Sequence, residues 1–286
     1  MSPDDFAASV SRSSRALRAH LTAVHERAPG FTEGCASACL NADGINSYAW
    51  LCHAARPPEA GAVLDLACGS GVLLERCRSM FGPDVALSGL DMSAAELALA
   101  ERRLGQDGSR LHQGLAQKLD FASDKSFDAV LCHWALTLMD PLEPVLEEIR
   151  RVLRPGGTFA AIVDGPASSA PGYSEICALI DSHVRRAAPD YAELGDPRAR
   201  DGRSLAALAR SVFPGADVRV DGEVFSMQGH PARLAETTAG FFYSTFVLGG
   251  TDHEAMLDEL TGFFAAQARP RYNMPVNRLC VAADRS

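Results

Sequence analysis

The chain has 286 residues, of which 47% are hydrophobic and 22% are charged, and its formal net charge is −9 at pH 7. This composition is that of a folded protein with one sizeable core, and it excludes a largely disordered chain. The excess of acidic residues argues against a nucleic-acid-binding protein, because phosphate contacts need Lys and Arg clustered on one face.

Short apolar segments alternate with helical patterns from Ala62 to about Asp164, which is the order that produces a parallel sheet with crossover helices. Ser93 and Glu96 form a capping box for the second helix. Asp140 and Pro141 are predicted to be the N-cap and the first residue of the helix after the fourth strand. Strands are predicted at 62–67, 85–90, 110–113, 127–132, 158–163, 217–226 and 277–283, and helices at 72–80, 97–104, 142–153, 231–248 and 252–268.

The predicted fold is α/β, with a Rossmann-like, seven-stranded and mostly parallel sheet, helices on both faces and helical caps after strands 5 and 6. Residues 61–286 form this domain, and the caps are expected at about 165–215 and 228–275. Both caps leave from the carboxyl ends of strands, where open parallel sheets bind ligands, so both are expected to roof one site. Residues 1–60 are predicted to be a helical segment that covers the same site.

Eight cysteines are scattered through the chain without a Cys-x-x-Cys pair, which is typical of reduced, packed thiols in a cytoplasmic protein. Cys35, Cys39, Cys52 and His53 could supply four metal ligands, but their spacing matches no compact zinc module, so no metal site is predicted. The N-terminal segment lacks the apolar centre of a signal peptide, and no run approaches the ~18 apolar residues of a membrane span. We therefore expect neither export nor membrane insertion.

A glycine turn follows the first predicted strand and contains Ala67, Cys68, Gly69 and Gly71. Such a turn brings backbone N–H groups close to a ligand at the positive end of a helix dipole. A dinucleotide site of the GxGxxG type would need a small residue where Leu74 stands, which disfavours a second reading of the chain as an NAD-dependent oxidoreductase.

Two acidic residues accompany this turn. Asp65 lies inside the first strand, where a carboxylate is costly unless it holds backbone or a cationic ligand. Asp91 ends the second strand, where a carboxylate can accept hydrogen bonds from the two hydroxyls of a ribose. Asp65 therefore needs a partner, and the position of Asp91 favours a ribose-binding role over that of a simple turn aspartate.

Residues 63–71 resemble the first motif of the class I S-adenosylmethionine-dependent methyltransferases. Residues 90–93, 121–132 and 149–157 resemble later landmarks of that family, in the same order, so that the resemblance covers about 60–165. Several ordered motifs are more specific than a single glycine loop. The resemblance implies S-adenosylmethionine as cofactor and methyl transfer as activity.

The resemblance also implies roles for individual residues. Asp65 and the backbone of Ala67, Cys68, Gly69 and Gly71 would hold the methionine part of the cofactor. Asp91 would bind the ribose, and Met92 would pack on the adenine. Leu115 stands where many members have an Asp that binds the adenine amino group, so the alternatives here are the backbone of Leu115 and Ala116 or the side chain of Gln117.

His133 follows the fourth strand, where the methionine part and the acceptor would meet. Its two interpretations are a backbone contact with the cofactor and a catalytic role as general base. Aromatic residues predicted to line an apolar substrate pocket are Tyr48, Trp134, Phe242, Tyr243 and Tyr272.

The sequence thus predicts methyl transfer to a small organic acceptor, with secondary metabolism as one possible setting. A rival hypothesis keeps the cofactor site without methyl transfer, as in a cyclase or a ligand-binding module. Neither nucleic acid nor membrane is expected as a partner, and the oligomeric state, monomer or homodimer, stays open.

Overall fold

The computed structural model describes residues 17–191 and 194–284. Seven strands form one sheet in the order β3-β2-β1-β4-β5-β7-β6. Strands β1 to β5 pair in parallel, whereas β7 runs antiparallel to both β5 and β6. The strands are β1 (Ala62–Leu66), β2 (Ala86–Asp91), β3 (Arg110–Gln113), β4 (Phe127–His133), β5 (Leu153–Asp164), β6 (Asp217–Gln228) and β7 (Arg271–Ala282). The predicted Rossmann-like, mostly parallel sheet is confirmed.

Ten helices flank or cover the sheet in the described part of the chain. They are α1 (17–27), α2 (Glu33–Ala38), α3 (Ser47–Cys52), α4 (Val72–Phe81), α5 (Ala94–Leu104), α6 (Glu143–Val152), α7 (Tyr173–Ala187), α8 (Gly202–Val212), α9 (Pro231–Ala239) and α10 (Gly250–Ala265). None of these helices has the length and apolar character needed to cross a bilayer.

The central strands are buried on both faces, and their side chains alternate between two cores. Val63 and Leu131 belong to the core that contains α3, α4, α7, α9 and α10. Leu64 and Val130 belong to the core that contains α6 and α8. Because side chains on a strand alternate with a period of two, Asp65 and His133 lie on the first of these faces, beside α3 and α4.

Several predicted boundaries differ from the structure, among them the start of β5 at Leu153 rather than 158, and two of the differences have identifiable reasons. The last strand begins at Arg271 rather than at 277, since Tyr272, Met274 and Val276 alternate into the core and extend the pairing with β6. The predicted helix 231–248 is divided, because α9 ends at Ala239 with Gly240 as its C-cap, and residues 243–247 form only a short 3₁₀ turn.

The start of α6 also differs from the prediction. Leu142, not Asp140, is its N-cap residue, and the Asp140–Pro141 peptide bond is cis. The proline inside the first turn is Pro144, where a missing N–H is tolerated because no intrahelical acceptor exists for it.

Within the predicted cap at 165–215, one helix does not cover the site. α8 does not roof the site but lies on the opposite face of the sheet, with Leu205 and Ala209 in the same core as Ile149 of α6. Its apolar stripe makes it a helix of the sheet's outer layer. The part of this insertion before α8, from α7 to Arg200, reaches the ligand-binding edge and lines the cavity there.

Candidate functional site

A cavity of about 890 Å³ opens at the carboxyl ends of β1, β2 and β4. This volume is near the top of the range of roughly 300–1,000 Å³ that is usual for small-molecule sites. Of the residues predicted from the sequence, the cavity is lined by Tyr48, Asp65, Ala67, Cys68, Gly69, Asp91, Met92, Leu115, Ala116, Gln117, His133, Trp134, Phe242 and Tyr243. Gly71 and Tyr272 are absent from its lining.

The turn after β1 has the geometry of a ligand cradle. Ala67 and Gly69 both take left-handed backbone conformations, with φ of 59° and 50°. Such a conformation is unfavourable for alanine, which shows that the turn itself is required at this position. The strand and α4 therefore meet at a tight bend whose backbone lines the cavity.

Gly71, which was predicted to hold the methionine part through its backbone, does not line the cavity. Its N–H donates to the carbonyl of Cys68 (3.0 Å), so it is already paired. A Cβ at Gly71 would lie 3.0 Å from the Cβ of Ala100, and its φ is 83°. The glycine therefore allows α4 to pack closely against α5 rather than facing a ligand.

Asp65 is a buried carboxylate without a partner. It is 1% exposed, and neither of its oxygens has a hydrogen-bond partner among the described residues. Burial, with the nearby charge of Asp91, holds its pKa well above the usual range. An isolated buried carboxyl group is costly, so this position is suited to a cationic or hydrogen-bond-donating ligand.

Asp91 braces the turn from the end of β2. One carboxylate oxygen accepts from the N–H of Gly69 and the other from the N–H of Ser93, both at 2.8 Å. Burial raises its pKa, while these two hydrogen bonds oppose that change. Each oxygen keeps a second lone pair with which it can accept from a ligand hydroxyl.

Glu96 and His25 belong to the site although the sequence interpretation assigned them no ligand role. Glu96 is 2% exposed, and its Oε1 accepts from the N–H of Gly30 and pairs with Nδ1 of His25, both at 2.7 Å. The Nε2 atom of His25 lies 2.9 Å from the hydroxyl of Tyr243. Glu96 could have been noticed in the sequence as the acidic residue of the capping box that begins at Ser93. No local sequence pattern pointed to His25.

His133 is held between α3 and the cavity. Its Nε2 lies 2.9 Å from the hydroxyl of Ser47, and its ring stacks on Tyr48. Desolvation lowers its pKa to about 3. A neutral imidazole of such low basicity is poorly matched to general-base chemistry at neutral pH.

Trp134, the residue after His133, also lines the cavity. Its backbone is left-handed (φ 62°), and its indole stands edge-on to Phe241 with ring centroids 5.1 Å apart. The indole Nε1 is buried without a partner among the described residues. A strained backbone with an unsatisfied donor is a feature often found at functional sites.

Beyond these residues the cavity continues between α1 and α7. Its apolar lining there comes from Leu17, Leu21, Ile180 and Val184, and the acidic Asp181 of α7 lines it as well. Arg18 and Arg185 lie at the same part of the cavity, and both side chains are exposed. Sequence patterns did not reveal this region, because helix α7 faces the core and the cavity along one continuous apolar stripe.

Tyr272 does not belong to the pocket as predicted. It is fully buried and lies behind Tyr173, which does line the cavity, with ring centroids 6.1 Å apart. Its position in β7 directs the ring into the core between the sheet and α7.

The four candidate metal ligands are not assembled in one place. Cys35 and Cys39 lie in and at the end of α2, where the N–H of Cys39 donates to the carbonyl of Cys35, whereas the Sγ atom of Cys52 lies 3.6 Å from that of Cys77. Within 17–191 and 194–284, no group of three or more His, Cys, Asp and Glu side chains is placed to hold a metal ion.

Residues 64–161 match the family model described as a methyltransferase domain. Over 104 residues the chain is 36% identical to a demethylmenaquinone methyltransferase of Symbiobacterium thermophilum, an alignment that covers 35% of this chain and 41% of that protein. It is 32% identical over 166 residues to a ubiquinone/menaquinone biosynthesis C-methyltransferase of Desulfotalea psychrophila, covering 57% and 64%. A fatty-acid O-methyltransferase of Mycolicibacterium smegmatis is 38% identical over 101 residues, covering 35% and 36%. The chain thus aligns with less than two thirds of each of these relatives.

Solved structures share the fold at low sequence identity. The YcgJ protein of Bacillus subtilis superposes with a TM-score of 0.57 at 16% identity, over 84% of this chain and 99% of that one. A phosphoethanolamine N-methyltransferase of Haemonchus contortus in complex with S-adenosyl-L-methionine gives 0.53 at 17% identity, over 84% and 53%. At such identities the likeness concerns the fold.

Proposed function

We propose that the chain, whose residues 64–161 match a methyltransferase domain, is a class I methyltransferase that transfers a methyl group from S-adenosylmethionine to a small, largely apolar organic acceptor. The observation that carries the proposal is Asp65, a fully buried carboxylate without a partner among the described residues, at the edge of a cavity that is large enough for two ligands. Its partner in this proposal is the α-ammonium group of the cofactor.

The residues around the cavity fit the proposed cofactor. Asp65 offers a buried negative charge, and the bend at Gly69 leaves room for close approach of a ligand. Asp91 offers lone pairs to the ribose hydroxyls, and Leu115, Ala116 and Met92 offer contacts to the adenine. When bound, the cofactor supplies an electrophilic methyl group on a sulfonium.

The protein's own contribution to such a reaction is positioning. Transfer from a sulfonium needs the acceptor atom, the methyl carbon and the sulfur in line, and orientation can supply much of the rate enhancement. Trp134 and Phe241 would confine the acceptor beside His133, and the indole N–H of Trp134 is a donor that can orient a polar atom. The low basicity of His133 favours positioning over proton abstraction.

The walls of the cavity support an apolar acceptor. Leu21, Ile180 and Val184 form an apolar passage between α1 and α7. Two of the relatives are named for quinone biosynthesis and one for fatty-acid O-methylation, which agrees with an acceptor that has an apolar body. The acidic net charge makes a nucleic-acid acceptor unfavourable.

Two measurements test this proposal. Calorimetric titration with S-adenosylhomocysteine is expected to give a Kd of about 1 μM or tighter. Methyl-labelled S-adenosylmethionine is then incubated with the protein and with quinols, phenols or fatty acids, and label is expected in the extracted acceptor. Absence of binding by a folded protein would overturn the proposal, and binding without transfer to any acceptor would favour the non-transferring alternative.

A further inference from the structure

We propose that Glu96 is a second ribose-binding carboxylate, which acts together with Asp91 and is held in position by His25. This inference rests on the proposed function, because it concerns the nucleoside end of the same cofactor site. It adds three residues from three separate parts of the chain, His25, Glu96 and Tyr243, to the cofactor site.

Glu96 occupies the glutamate position of a capping box in helix α5, but its carboxylate does not cap the helix. Ser93 is the N-cap residue, and its hydroxyl accepts from the N–H of Glu96. In a complete capping box the glutamate would reach back to the N–H of Ser93, but Asp91 already accepts from that group at 2.8 Å. Glu96 is therefore not needed at the cap, and its carboxylate turns towards the cavity that it lines.

One oxygen of this carboxylate is paired, and the other is not. Oε1 holds His25 and the N–H of Gly30, whereas Oε2 is buried without a partner among the described residues. A Cβ built on Gly69 would lie 3.8 Å from Oε2, which places that oxygen beside the glycine turn. An unpaired buried carboxylate oxygen is costly and calls for a hydrogen-bond donor.

Asp91 and Glu96 thus both approach Gly69. Asp91 accepts from its N–H, and Oε2 of Glu96 lies 3.8 Å from the position that a Cβ of this residue would take. Two neighbouring buried carboxylates repel each other, and the charge of Glu96 adds to the main effect of burial in raising the pKa of Asp91. A vicinal diol supplies two O–H donors to such a pair, which is the chemistry of a ribose.

Contacts on the far side of His25 fix this arrangement. His25 bridges Glu96 to the hydroxyl of Tyr243, and Phe31 stands edge-on to Tyr243 with ring centroids 4.8 Å apart. α1 and the 243–247 turn therefore meet above Glu96 and restrict the orientation of its carboxylate. His25 and Tyr243 act as positioning residues in this proposal.

The test compares S-adenosylhomocysteine with its 2′-deoxy and 3′-deoxy analogues by calorimetric titration. Wild-type protein is expected to bind each analogue about tenfold to a hundredfold more weakly, since hydrogen bonds to charged groups are lost. In Glu96→Gln, removal of one of the two ribose hydroxyls is expected to cause no further loss of affinity. Removal of the other hydroxyl is expected to weaken binding as it does in wild type. Glu101→Gln, on the exposed side of the same helix, is the matched control and is expected to behave as wild type.

The outcomes separate the two proposals. Wild-type protein that does not bind S-adenosylhomocysteine overturns the proposed function. The present inference alone is overturned if wild-type protein binds S-adenosylhomocysteine but Glu96→Gln loses as much affinity for both deoxy analogues as wild type does. A purely structural role of Glu96 predicts such additive effects. If Glu96→Gln does not fold, the same cycle with His25→Gln decides: a reduced penalty supports the inference, and an unchanged penalty overturns it.

Discussion

The imidazole of His133 lies face to face with the phenol ring of Tyr48, with ring centroids 3.8 Å apart and ring planes inclined by 19°. Together with the hydroxyl of Ser47 at Nε2, this stack encloses the imidazole on the side of α3. Desolvation is the cause of its pKa of about 3. A general base needs a pKa near the working pH, so this enclosed imidazole disfavours the general-base interpretation of His133.

We expect His133→Asn to lower kcat by less than roughly 100-fold, which is the lower end of what general acid–base catalysis contributes. Between pH 5 and 8 the pH profile of kcat is expected to keep its shape in the variant, since His133 is neutral throughout this range. Steady-state kinetics across that range checks this. An inflection present in wild type and missing in the variant would restore the general-base interpretation.

Binding of S-adenosylhomocysteine is expected to release a proton from Asp65. The pKa of this carboxyl is raised in the unliganded protein, and the cofactor's ammonium group lowers it again by favouring the charged form. Affinity should therefore fall as the pH drops below the raised pKa. Calorimetry in buffers of different ionisation enthalpy measures the release, and Asp65→Asn should remove the dependence on buffer.

Asp65→Asn is also expected to stabilise the unliganded protein while weakening its binding of S-adenosylhomocysteine. A carboxyl whose pKa is raised on folding destabilises the folded state above its unfolded pKa of about 3.9, and this penalty disappears below that pH. The variant should thus melt at a higher temperature than wild type at pH 7, with a difference that shrinks towards pH 4. Asp84→Asn, at an exposed position, is the control, and a variant that melts below wild type at pH 7 contradicts the prediction.

Asp91→Ala is expected to weaken binding of S-adenosylhomocysteine by about 1 to 3 kcal/mol, through loss of hydrogen bonds to the ribose. Asp107→Ala is the matched control, because Asp107 makes the same contact with a backbone N–H two residues ahead, that of Ser109, and does not line the cavity. Equal affinities of wild type and Asp91→Ala in calorimetry would rule out the ribose role.

Gly71→Ala is expected to lower the free energy of unfolding by about 2 kcal/mol or more, because a left-handed backbone and a close contact with Ala100 both oppose a side chain. Gly108→Ala separates the two effects. It has a φ of 84°, close to that of Gly71, but nothing within 4 Å of an added Cβ, so only the smaller backbone cost of about 1 to 2 kcal/mol is expected. Urea denaturation of both variants measures the difference, and equal losses would argue against close packing of α4 on α5.

Much of the fold followed from local patterns in the sequence. The strand, glycine turn and helix over β1 and α4 were predicted within one residue of their bounds, because period-two and period-3.6 apolar patterns are local signals. Where the local pattern was ambiguous, the prediction was wrong: the extension of β7 to Arg271 is stabilised by pairing with β6, which no local signal records.

The sequence by itself determined the order of strands and helices from β1 to β5, the glycine turn and the acidic residues Asp65 and Asp91. All of these lie in one contiguous stretch with recognisable local patterns. Only the tertiary structure decided that Glu96 turns towards the cavity, that His25 joins it to Tyr243, and that Tyr272 lies behind the pocket wall. His25 is 71 residues from Glu96 and 218 from Tyr243 in the chain. Contacts over such separations depend on how helices and turns pack around the sheet, and the direction of a buried side chain is fixed by that packing rather than by its neighbours in sequence.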